Sequence, residues 1–175
     1  MIPAPIPLAA PAHPLTDGVV TLRPQCAADA EAVAAGRDPE RHRWREGMPA
    51  AYLREWEARQ AGRRVPLVVA DAATDEPAGL VELARKLHAC TLLTCRIFPE
   101  RRRQGLATRA VRLLSDWGRG DADLPCLQLE AAEADTAWLG VAEKNGFERL
   151  HTRRGLVRSR PQVLLVLGWI AERHR

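Results

Sequence analysis

Apolar and polar positions change their period several times along the chain, and each change marks an element. Val19-Val20-Thr21-Leu22 is β-prone, while the alanine-rich stretch Ala27 to Ala35 after Pro24 favours a helix. A second helix is predicted near Pro49, where Tyr52, Leu53 and Trp56 fall at helical spacing and Gly62 supplies a stop. Leu67 to Ala70 and Gly79 to Ala84 are apolar runs separated by Asp71 to Ala78, whose Thr-Asp-Glu-Pro composition favours a turn, so a hairpin is expected. Thr91 to Phe98 is β-rich and is broken by Pro99. The helix after it places Leu106, Ala110, Leu113, Leu114 and Trp117 on one face, with Arg109, Arg112, Asp116 and Arg119 on the other. A short strand, Cys126 to Glu130, precedes a helix that opens near Asp135 and closes at Asn145-Gly146, and Val163 to Trp169 supplies a final strand. Strands interleaved with helices, without repeats, describe a mixed α/β domain.

The length of 175 residues suits one domain, able to bury a core without a metal or disulfide staple. Residues 1–18 read as a flexible extension, because Met1 to Pro14 carries five of the 13 prolines and no continuous apolar block; residues 19–175 form the domain. A signal peptide would need a charged start and an apolar core of about 7–15 residues, which this start lacks. The longest apolar run, Val163 to Ile170, is far below the ~20 residues that span a bilayer, so a soluble protein without membrane association is expected. Cys26, Cys90, Cys95 and Cys126 show neither CxxC spacing nor paired histidines, which argues against a metal site. Four free thiols suit a reducing, cytoplasmic location.

Charge adds an asymmetry. Residues 1–148 hold 19 basic and 21 acidic side chains, whereas residues 149–175 hold 7 and 1, so the net +4 is a local surplus. Five arginines between Arg149 and Arg160 raise the reading of a non-catalytic nucleic-acid- or ribosome-binding module. Interleaved aromatics, a helix-turn-helix and a zinc-finger pattern are all missing there, so nucleic acid is not the expected partner.

The chemistry concentrates in Cys95-Arg96-Ile97-Phe98-Pro99-Glu100-Arg101-Arg102-Arg103-Gln104-Gly105-Leu106-Ala107-Thr108, where a strand gives way to a basic turn and then an amphipathic helix. Unpaired N–H groups at a helix start, with the helix dipole, make an anion site. Gly105 lacks a Cβ and lets a phosphate approach the backbone, Ala107 keeps the next position small, and Arg102 and Arg103 add permanent charge. These properties predict a pyrophosphate cradle. The lysine and hydroxyl of a Walker loop and the three glycines of a dinucleotide fingerprint are absent.

Arg102, Gly105 and Ala107, with Pro99 before them, resemble the acyl-CoA motif of the GNAT superfamily of N-acetyltransferases, R/Q-x-x-G-x-G/A. Asp135 to Phe147 is similar to the family's N-x-x-S…EK-x-GF helix, with Asp135 in place of Asn and Trp138 in place of Ser. Thr21-Leu22-Arg23-Pro24 is similar to the opening of the branch that acetylates ribosomal-protein N-termini (alanine). The resemblance, over roughly Val19 to Trp169, implies a strongly twisted mixed sheet whose central parallel strands splay to admit acetyl-CoA. It implies that the backbone of Ile97 and Phe98 pairs with the pantetheine. Amides from Arg103 through Gln104, Gly105, Leu106 and Ala107 to Thr108, with Arg102, would hold the pyrophosphate, and Asp135 and Lys144 would make further cofactor contacts. An amine, from a small molecule or a protein N-terminus, would attack the thioester directly. The position where the family often places a tyrosine acid is Ala142, so a base is sought at Glu82 or Glu130, with His88 behind them. Cys95 reads as a buried, inert thiol. The final apolar strand fits a monomer or a homodimer.

Overall fold

The computed structural model of the chain describes residues 8–35, 62–85, 90–157 and 160–171. Eight strands form one sheet: β1 Leu15–Thr16, β2 Val20–Pro24, β3 Arg64–Asp71, β4 Pro77–Arg85, β5 Thr91–Ile97, β6 Cys126–Ala132, β7 Glu148–Val157 and β8 Arg160–Ile170. Their order is β1-β2-β3-β4-β5-β6-β8-β7. Among the described residues the α-helices are α1 Ala30–Ala35, α2 Leu106–Arg119 and α3 Thr136–Lys144. This is the expected mixed α/β domain.

Side chains alternate across the strands, so Leu67 and Val69 of β3, Val81 and Leu83 of β4, and Leu93 and Ile97 of β5 share one buried face. Leu106, Ala110, Val111 and Leu114 of α2 join them in a single core. Each such large side chain contributes about 1.5–3 kcal/mol on burial. On the opposite face Val68 and Ala70 are fully buried, and α1 packs against β4.

The feature that positions the site is a parting of strands. β5 pairs with β4 along its whole length, and β6 pairs with β8 along its own. Between them β5 and β6 run parallel for two pairs alone, Thr91 with Leu127 and Leu92 with Gln128. Beyond Leu92 and Gln128 they separate. Helix α3 leaves the end of β6, and at its far end the Asn145 Nδ2 donates to the Thr108 carbonyl at 3.3 Å and to the Val141 carbonyl at 2.8 Å. So α3 bridges from β6 to the first turn of the helix that follows β5.

Three expectations change. Cys90 and Cys126 form a disulfide with Cα atoms 4.9 Å apart, leaving Cys26 and Cys95 as the free thiols. The parallel start of β5 and β6 brings the two cysteines inside disulfide range, which their separation of 36 residues conceals. The thiol argument for a reducing compartment falls with it. Residues 8–18 are not a free extension: Leu8 is buried in the core, its N–H donates to the Gly62 carbonyl at 2.8 Å, and β1 pairs with β2. The basic segment after residue 148, which the sequence pattern assigns to no element, is strand β7 at the sheet edge; with polar side chains on both faces it lacks the alternation that marks a half-buried strand. The helix expected near Pro49 lies outside the described residues. No helix among them is long and apolar enough to cross a membrane.

Candidate active site

A short 3-10 turn, Pro99–Arg101, links β5 to α2, and its N–H groups at Arg101 and Arg102 return to the carbonyls of Phe98 and Pro99. Arg103 then adopts a left-handed conformation (φ 63°), and Gly105, the N-cap of α2, another (φ 74°). Alternating hands turn successive amides toward one concavity. The first internal bond of the helix runs from Arg109 N–H to the Gly105 carbonyl. The six N–H groups from Arg103 to Thr108 therefore have no acceptor among the described residues, and a Cβ built on Gly105 would meet nothing within 4 Å. Six orphan donors around open space fit a diphosphate.

The three arginines of the turn do different work. Arg101 is an anchor, donating to Asp71 at 3.2 Å and lying 3.7 Å from Glu76 in the β3–β4 turn. Arg102 donates its Nε–H to the Ile97 carbonyl at 3.2 Å, which holds its guanidinium beside the strand end. Arg103 and Gln104 are exposed at the mouth of the amide concavity.

The strand edge departs from expectation at one residue. The Phe98 N–H donates to the Ala78 carbonyl at 2.9 Å, and its own carbonyl accepts from Arg101. Phe98 thus belongs to the ladder with β4, and by the alternation of an antiparallel pair the backbone groups of Ile97 and Cys95 face the opening instead. Ile97 and Cys95, not Phe98, offer an edge to an extended arm. The Cys95 side chain contributes no nucleophile, since burial pushes its thiol up to about 12.

Asp135 caps α3 by accepting the Trp138 N–H at 3.1 Å, so the change from Asn preserves the cap. Lys144 is exposed next to Asn145, whose side chain clips α3 onto the first turn of α2. That clip was not legible in the sequence, where Asn145-Gly146 signals only a helix stop.

Both candidate bases are engaged by arginines. Glu130 lies on β6 just past the last paired residue, in the wall of the opening, and accepts two hydrogen bonds from Arg153 of β7, one of them 2.8 Å long. Glu82 is on β4, one strand removed, and accepts from Arg64 at 3.3 Å. His88 lies outside the described residues. Ala142 is fully buried in the core. No group of His, Cys, Asp and Glu able to hold a metal occurs among the described residues.

Residues 20–148 match the family described as an acetyltransferase (GNAT) domain. No curated protein matches the sequence. Solved structures share the fold at low identity. RimJ of Mycobacterium smegmatis, in complex with CoA-disulfide, is 20% identical with a TM-score of 0.77 over 92% of this chain and 87% of its own. A spermidine N-acetyltransferase from Vibrio cholerae, in complex with CoA and spermine, is 18% identical with a TM-score of 0.74 over 88% and 96%. RimL, a ribosomal L7/L12 alpha-N-protein acetyltransferase in complex with coenzyme A, is 12% identical with a TM-score of 0.75 over 90% and 98%.

Proposed function

From the premise that the chain belongs to the acetyltransferase (GNAT) family, an acetyl-CoA-dependent N-acetyltransferase acting on a primary amine, we propose that its acceptor is the α-amine of a peptide or protein. Acetyl-CoA supplies the acetyl group as a thioester. The amides of Arg103 to Thr108, with Arg102 and Lys144 beside them, hold the pyrophosphate end. The backbone edges of Cys95 and Ile97 orient the arm within the opening, and an N–H of that edge is placed to bond the thioester carbonyl as charge develops on it. We read the transfer as direct, since burial pushes the Cys95 thiol up and makes it a poor acyl carrier.

The observation that carries the acceptor class is the engagement of both candidate carboxylates by arginines. With both described candidates held in ion pairs, the arrangement favours an acceptor that reaches the opening already neutral. An α-amine, with a pKa of about 7.7–8.0, is roughly a tenth neutral at pH 7; an alkylamine near 10.4 is neutral in only about one molecule in 2,500. The exposed Arg149 and Arg154 of β7 repel polycations and favour an acidic chain following the α-amine. RimL, among the structures sharing this fold, is by name an enzyme of α-amines, whereas the Vibrio cholerae enzyme holds spermine.

Thiol release from acetyl-CoA, followed across short peptides, spermidine and an aminoglycoside, tests this. Peptides with acidic second and third residues should be the best acceptors, with kcat/KM rising about tenfold per pH unit and levelling near pH 8. Turnover of spermidine or the aminoglycoside in preference to every peptide would refute the assignment.

A further inference from the structure

Trp138 occupies a position at which the family resemblance calls for a serine, a far smaller side chain. Both its backbone and its half-buried ring are tied down by hydrogen bonds. The backbone N–H is held by Asp135 at 3.1 Å, and the indole Nε1–H donates to the Glu130 carbonyl of β6 at 3.2 Å. Glu130 is in turn fixed by Arg153. The ring packs against the edge of the core, as do Cys95 of β5 and Val141 of α3.

The register locates that ring within the opening. Leu92 pairs with Gln128, so Glu130, two residues further along a parallel strand, stands level with Thr94. Ile97, the last residue of β5 before the turn that leads to the amide concavity, is three residues beyond Thr94, or about 10 Å along the strand. A donor gripped by its pyrophosphate at the concavity extends its thioester end away from it, down the Ile97–Cys95 edge toward the vertex where the strands meet. Bonded to the Glu130 carbonyl, the indole borders that route on the β6 side. With a serine there the space would be empty; with a tryptophan bonded to the opposite strand, it is filled.

We propose that Trp138 is the wall that limits the acyl group, admitting acetyl and excluding longer chains. The inference rests on the assignment of the opening to an acyl-CoA donor, and its test separates the two. Binding of free CoA, acetyl-CoA and butyryl-CoA to the whole protein is measured by titration calorimetry, which requires no knowledge of the acceptor. Because one methylene too many in a fitted pocket costs about 10–200-fold, butyryl-CoA should bind the parent at least tenfold more weakly than acetyl-CoA. In Trp138→Ala that ratio should fall to within about twofold. Trp138→Phe, which retains most of the bulk but loses the bond to Glu130, should keep most of the discrimination and serves if the alanine variant does not fold. Equal affinity of the parent for both thioesters, or an unchanged ratio in the folded alanine variant, overturns the role of Trp138 and leaves the donor assignment standing. Failure of free CoA to bind the parent overturns the donor assignment, and the inference with it.

Discussion

Gly105 is the residue at which backbone conformation and ligand chemistry can be pulled apart. It caps α2 with φ 74° and ψ 5°, a region that costs an ordinary L-residue roughly 1–2 kcal/mol, and its absent side chain would have pointed into open space. Gly105→Ala should therefore destabilise the protein through its backbone alone, by about 1–2 kcal/mol, or ~2–8 °C in Tm at this size. Gly105→Asn, whose side chain tolerates the left-handed region, should lose less. CoA at a hundred times its Kd stabilises the folded parent by about 2.7 kcal/mol, a rise of ~5–11 °C. Gly105→Glu sets a carboxylate before the six amides from Arg103 to Thr108, where it occupies the phosphate's place and repels its charge, so the CoA-dependent rise should vanish. In Gly105→Ala it should be reduced, not abolished. Thermal unfolding of all four proteins with and without CoA gives both quantities. A full CoA response in the glutamate variant would refute the cradle; a loss in the asparagine variant as complete as in the glutamate one would show that conformation, not occupancy, was being read.

Two further tests address the frame around the site. Titration with a thiol reagent should find one fast thiol in the native protein, Cys26, a second in denaturant as Cys95 is released, and four after reduction. Four without reductant would remove the disulfide, whose loss should otherwise cost roughly 2–4 kcal/mol in a urea titration. The carboxyl of Asp29 is held down to about 2, from an ordinary 3.8, by its hydrogen bonds from Arg23. A depressed folded-state value stabilises fully above the unfolded pKa and is lost as pH falls through the folded one, so the urea stability gap between the parent and Asp29→Asn should be about 2 kcal/mol at pH 6 and close between pH 4 and pH 2. A gap independent of pH would contradict that pairing.

What the sequence disclosed, and what it withheld, follows the range of the interactions involved. The amide cradle was legible because everything that makes it is local: a strand end, a proline, a glycine at the cap and the amphipathic face of α2 all lie between Ile97 and Arg119. The same holds for the Asp135 cap of α3. The disulfide, the Asn145 clip onto Thr108 and the pairs that engage Glu82 and Glu130 join residues 18 to 37 positions apart, and no spacing rule reports them. Strand β7 was hidden for another reason: an edge strand exposed on both faces has no period to read, so its arginines look like a charged tail. That misreading bears on function, because one of those arginines, Arg153, reaches back to the Glu130 carboxylate in the wall of the opening. The surplus positive charge is thus partly turned inward. It pairs with a candidate base and ties down the residue whose carbonyl holds the Trp138 indole, so a feature that counting places outside every motif bears on both proposals, the acceptor amine and the acyl group.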